Sequence, residues 1–102
     1  GEYTGRISLQ KLSAAFYSLY DSLQEPEENV LIQEEVSLED EMEELRQMLR
    51  TASEVDLMEY FGKKKTRLRL AVSLMAVLEL IRTGEITVKD SISGLMLKGG
   101  EA

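Results

Sequence analysis

A chain of 102 residues is enough for one modest domain, burying roughly 60 to 70% of its unfolded surface, so one core plus an appendage is expected. With neither cysteine nor histidine, disulfides and thiolate metal sites are excluded and the commonest general base, metal ligand and pH switch are missing, which makes catalysis a remote expectation. The net charge of −7 conceals a division: residues 21–59 carry fourteen carboxylates against only Arg46 and Arg50, whereas the chain from Tyr60 onward is net positive.

The opening Gly-Glu-Tyr-Thr-Gly shows no signal-peptide pattern and, lacking an initiating methionine, reads as a piece of a longer protein, its lack of cysteine compatible with the cytoplasm without fixing the compartment. Ser8 is the expected N-cap of a first helix, on which Leu9, Leu12, Phe16, Leu19 and Leu23 recur at three- and four-residue spacing and draw one apolar stripe. Gln24-Glu25-Pro26 is expected to end it. The divisions are thus an amphipathic helix in 1–25, an acidic connector in 26–36 and a domain in 37–98.

In that domain Ser37 is positioned to cap a second helix, with Asp40 completing an approximate capping box and Leu38, Met42, Leu45 and Leu49 forming its apolar stripe. Its acids crowd the first turns and Arg46 and Arg50 lie near the last, as the helix macrodipole favours. Thr51 to Val55 breaks the pattern. Asp56 then caps a short helix, Leu57 to Phe61, closed by Gly62, and a long helix restarts after Lys63-Lys64-Lys65-Thr66 and ends at Thr83-Gly84. Beyond Gly84 the period changes: Ile86-Thr87-Val88 alternates and pairs with Leu95-Met96-Leu97 as a β-hairpin. The fold class is therefore mainly α with a small β-hairpin, a winged-helix domain preceded by an amphipathic helix.

The long helix is the most informative segment. Leu68, Ala71, Val72, Met75 and Leu78 lie on one side and Leu70, Leu74, Val77 and Ile81 on another, where a surface helix needs only one apolar stripe. Interrupted by Arg69 and Glu79, the run falls short of the roughly 20 apolar residues that a bilayer requires. A winged helix that reads DNA presents polar and basic side chains from this helix to base edges; after Arg69 this one presents leucines and valines. The basic cluster Lys63, Lys64, Lys65, Arg67 and Arg69 leaves phosphate contact open beside the plain reading of solvated loop charge. The acidic run Glu39-Asp40-Glu41, Glu43-Glu44 reads as a solvated helix face, without the Asp-x-Asp-x-Asp-Gly loop of a calcium site.

Taken in order, SLEDEMEELRQML, VDLMEYF and RLRLAVSLMAVLELIRTGEITV resemble the C-terminal winged helix of the bacterial and archaeal ScpA kleisins. The family's Phe-Leu-Ala-Leu-Leu-Glu-Leu-like run reads here as Leu74-Met75-Ala76-Val77-Leu78-Glu79-Leu80, and the upstream ISLQKLSAAFYSLYDSL also fits its pattern, so the resemblance spans nearly all of residues 6–97. Leu74 stands where an aromatic is common, Asp90 where Gln is frequent, and Ile92-Ser93-Gly94 replaces a Phe-Gly-Asp-like turn.

The resemblance implies a structural subunit of a chromosome-condensing SMC complex, with no catalysis and no cofactor. Its winged helix would dock on the SMC ATPase head and the central region would bind the ScpB dimer, with DNA contacted only through the complex and no membrane or small-molecule substrate involved. On that basis Leu70, Leu74 and Val77 of the long helix, with Ile86 and Val88 of the wing, are the expected head interface, the plain alternative being that the long helix is fully buried within its own domain. The stripe Leu9, Leu12, Phe16, Leu19 and Leu23 is expected either on ScpB or folded back on its own domain, with Tyr17 and Tyr20 as further anchors. The competing function is a winged-helix DNA-binding transcription regulator.

Overall fold

The computed structural model describes residues 2–23, 36–92 and 94–100, with side chains described from residue 9 onward. Helix α1 (Glu2–Ser22) comes first, followed by α2 (Leu38–Thr51), β1 (Glu54–Asp56), α3 (Leu57–Gly62), α4 (Arg67–Arg82), β2 (Ile86–Ser91) and β3 (Gly94–Gly99). The connector at 26–36 lies, apart from Val36, outside the described residues, as does the Gln24-Glu25-Pro26 stop.

Local chemistry accounts for most boundaries. The Ser37 hydroxyl accepts from the Asp40 amide at 3.2 Å and opens α2. Asp56 accepts from the Met58 and Glu59 amides at 2.9 and 3.2 Å and opens α3, and Thr66 accepts from the Arg69 amide at 3.1 Å and opens α4. At the far end of α4, Gly84 adopts φ +80°. Its amide donates to the Ile81 carbonyl at 3.0 Å and the Glu85 amide donates to Leu80 at 2.9 Å, the paired bonds of a Schellman cap. This turn aims the chain from α4 into the wing.

Three boundaries differ from expectation. Helix α1 begins at Glu2, so Ser8 lies inside it and is not its cap; helical backbone extends upstream of the point where the apolar stripe starts. Gly62 is the last residue of α3, and Lys63, in right-handed helical conformation, takes the C-cap. The segment read as a break contains β1, which makes the hairpin a three-stranded antiparallel sheet of order β1-β3-β2. Val55 pairs with Leu97, which also pairs with Val88, so one row of aliphatic side chains crosses all three strands.

The core joins these layers. Leu45 of α2, Leu57, Tyr60 and Phe61 of α3, Leu70, Val77 and Leu80 of α4, and Ile86 and Leu97 of the sheet are almost wholly buried. Ser73 and Ala76, both fully buried on α4, keep its inner face small where α2 packs alongside. Helix α1 lies on this unit, touching α3, α4 and the wing strands.

Candidate functional site

The inner face of α4 is defined by Leu70, Val72, Ser73, Ala76, Val77 and Leu80, all buried. Turning the helix brings up a second line, Leu68, Met75 and Leu78, which remain 50, 53 and 40% exposed. With half-buried Ala71 and Leu74 beside them, these residues recur at spacings of seven and three and form an apolar stripe on the outside of the domain.

This placement corrects the expected head interface. Leu70 and Val77 have no exposed surface and Ile86 is 2% exposed; they belong to the domain's own core. Leu74 and Val88 are half-buried and keep part of their surface. Both sides of α4 are apolar, so its periodicity does not reveal which side its own domain covers. Burial selects Leu68, Met75 and Leu78 as the outward set.

The stripe of α1 lies against the winged helix. Leu12 and Phe16 are buried, Leu19 and Leu23 are half-buried against the core, and Leu9 is left 47% exposed at the stripe's edge. The Phe16 and Phe61 rings meet edge to face with centroids 6.3 Å apart. Tyr20 is half-buried and Tyr17 points to solvent, 60% exposed.

The charged clusters also have structural duties. Glu41, expected on a solvated face, is 6% exposed. It accepts from the Tyr60 hydroxyl at 2.5 Å and the Lys64 ammonium at 2.6 Å, and that ammonium also reaches Glu44 at 3.2 Å and lies 4.8 Å from the Tyr60 ring centroid. Burial pushes the Glu41 carboxyl up, but the hydrogen bonds from Lys64 and Tyr60 and the Lys64 charge outweigh it and hold the group below its ordinary value. Burial, then the Glu41 carboxylate, drive the Tyr60 hydroxyl far above the ordinary tyrosine range. The network fixes the α3–α4 turn to α2 and so sets the pose of α4. Arg67, counted in the basic cluster, donates through Nε to the carbonyls of Tyr20 at 3.1 Å and Leu23 at 2.9 Å. Lys63, Lys65 and Arg69 face outward.

Arg46 forms a two-pronged pair with Glu85 at 2.9 and 3.2 Å, tying α2 to the turn into the wing. Among the described residues no cluster of His, Cys, Asp or Glu is arranged to hold a metal, and no helix is long and apolar enough to cross a membrane.

Helices α2, α3 and α4 with a strand after the first helix and a hairpin after the third define a winged-helix domain. Its third helix, the one that reads bases in DNA-binding members of the class, shows an aliphatic outer face here. Comparison with known proteins gives this a particular direction: the chain is 28% identical to Segregation and condensation protein A of Bacillus velezensis over 105 residues. The match covers 91% of this chain and 41% of that protein, so the chain spans about two fifths of its curated relative's length. The chain is thus ScpA-like in sequence, in agreement with the order of its motifs. No family model and no solved structure matches.

Proposed function

We propose that this chain is a kleisin segment that joins other proteins without chemistry of its own, its winged helix docking on the ATPase head of an SMC protein through the outer stripe of α4. The observation that carries this reading is the exposure of Leu68, Met75 and Leu78 in the slot of a recognition helix, since an exposed apolar helix face is suited to a groove on another protein. Leu74, still partly exposed on the same helix, borders that stripe, and Val88 on the wing also keeps part of its surface. The similarity to Segregation and condensation protein A supports a role in chromosome condensation and segregation. In this reading the region of α1 and the connector meets the ScpB dimer, the assembly closes a ring, and the chain works in the cytoplasm at the nucleoid, touching DNA only through the complex.

The competing reading, a DNA-binding regulator, draws on the wing and on outward-facing Lys63 and Lys65. Capture on immobilised SMC head beside a gel shift on duplex DNA, each from about 50 to 200 mM salt, separates the two. Head capture that changes little with salt is expected. A protein that reads phosphates instead loses about 10³- to 10⁵-fold in DNA affinity over that range, and such DNA binding without head capture rejects the kleisin reading.

A further inference from the structure

The winged helix already occupies most of the apolar stripe of helix α1, leaving Leu9 at its edge exposed. Leu12 and Phe16 are buried there, while the opposite face carries Gln10, Ser13, Ala14, Ser18 and Asp21 and is small and polar apart from Tyr17. Two polar contacts hold the helix at points far apart along its length. Lys11 pairs with Asp90 on β2. Near the C-terminal end, Arg67 donates to the Leu23 carbonyl and to the Tyr20 carbonyl, which also accepts from the Leu23 amide, and lies 4.6 Å from the Tyr20 ring centroid.

We propose that α1 is a releasable strap, whose stripe serves either the winged helix or the groove of a second protein and never both. Asp90 and Arg67 are the latches that set the exchange. The inference rests on the reading of the α1 region as the segment that meets ScpB. Leu12 and Phe16 cannot line a foreign groove while they are in contact with the domain core, so binding through them requires release. An exposed ion pair such as Lys11–Asp90 adds little stability, and an amphipathic helix is marginal alone but can fold again on a partner. The apparent affinity for that partner is then scaled by the fraction of chain with α1 released.

Both latches lie on the acceptor, so they can be altered with α1 unchanged. D90A and R67A are expected to tighten binding of the purified ScpB dimer by roughly two- to tenfold, and to speed amide hydrogen exchange in α1 while α4 keeps its protection. Because the chain has no cysteine, a K11C/D90C variant bridged by a bismaleimide holds the strap closed and is expected to lose ScpB binding. Unchanged or weaker ScpB binding by the latch variants, or full binding by the bridged chain, overturns the strap and leaves the ScpB reading intact. If the unaltered chain does not bind ScpB, that reading fails and exchange decides the strap: α1 opening apart from α4 supports it, whereas α1 and α4 opening only together overturns it.

Discussion

Glu41 is one of five carboxylates in the first two turns of α2 and the one turned inward, where it accepts from Tyr60 and Lys64. Hydropathy counts it with its neighbours Glu39, Asp40, Glu43 and Glu44, because the partners that make burial tolerable lie 19 and 23 residues away. A buried carboxylate without such partners would be strongly destabilising. Tyr60→Phe removes a hydrogen bond to a charged, buried acceptor and is expected to cost about 1.5 to 3 kcal/mol in urea unfolding; a loss under 0.5 kcal/mol would show that the bond contributes little.

The pH dependence of this network follows from the two shifts. Glu41 is held below its ordinary value of 4.5 in the fold, so its contribution is present above that value and lost as pH falls through the lower folded one. Tyr60 is raised above its ordinary value of 10.0, so its contribution is present below about pH 10 and lost as pH rises beyond it. Stability should therefore fall at both extremes, and Tyr60→Phe should blunt the alkaline loss in particular. An unchanged alkaline limb in the variant would assign that loss to other groups.

Elements were legible in the sequence to the degree that their determinants are local. The caps Ser37 and Asp56 and the Gly84 stop lie within a few residues of the bonds they make and were readable; Thr66, which caps α4 just as locally, was read only as the end of the loop before it. Strand β1 was not: it has three residues, one of them buried, and its partners Met96, Leu97 and Lys98 lie about forty residues downstream. The α1 stripe was readable as a stripe, yet nothing local says what it packs on. Because Phe16 meets Phe61 across that contact, Phe16→Ala is expected to detach α1, with a local cost of about 3 kcal/mol. Circular dichroism should lose the α1 contribution while α2 and α4 stay protected in hydrogen exchange. Collapse of the whole fold would make α1 part of the indivisible core.

At the scale of the whole molecule, two apolar sides of one helix have two different uses. The inner side of α4, with Leu70, Val77 and Leu80, closes the core, and the outer side, with Leu68, Met75 and Leu78, is left exposed. Acidic α2 is linked to the rest by Glu41 and Glu44 to Lys64 at the α3–α4 turn and by Arg46 to Glu85 beyond α4, so ion pairs at both ends of α4 hold it against α2. Of the expected interface residues on α4, Leu70 and Val77 lie on its covered side, since only the three-dimensional packing of α2 and the sheet tells the sides apart.

Met75 tests the account most directly, because it is the most exposed of the three outer residues and its replacement leaves the core intact. Met75→Glu should retain the helical circular dichroism of the parent chain and weaken calorimetrically measured binding to the SMC head by about thirtyfold or more, the loss of roughly 2 kcal/mol that marks an interface hot spot. A folded Met75→Glu chain that binds the head with parental affinity would contradict the claim that the outer face of α4 is the docking surface.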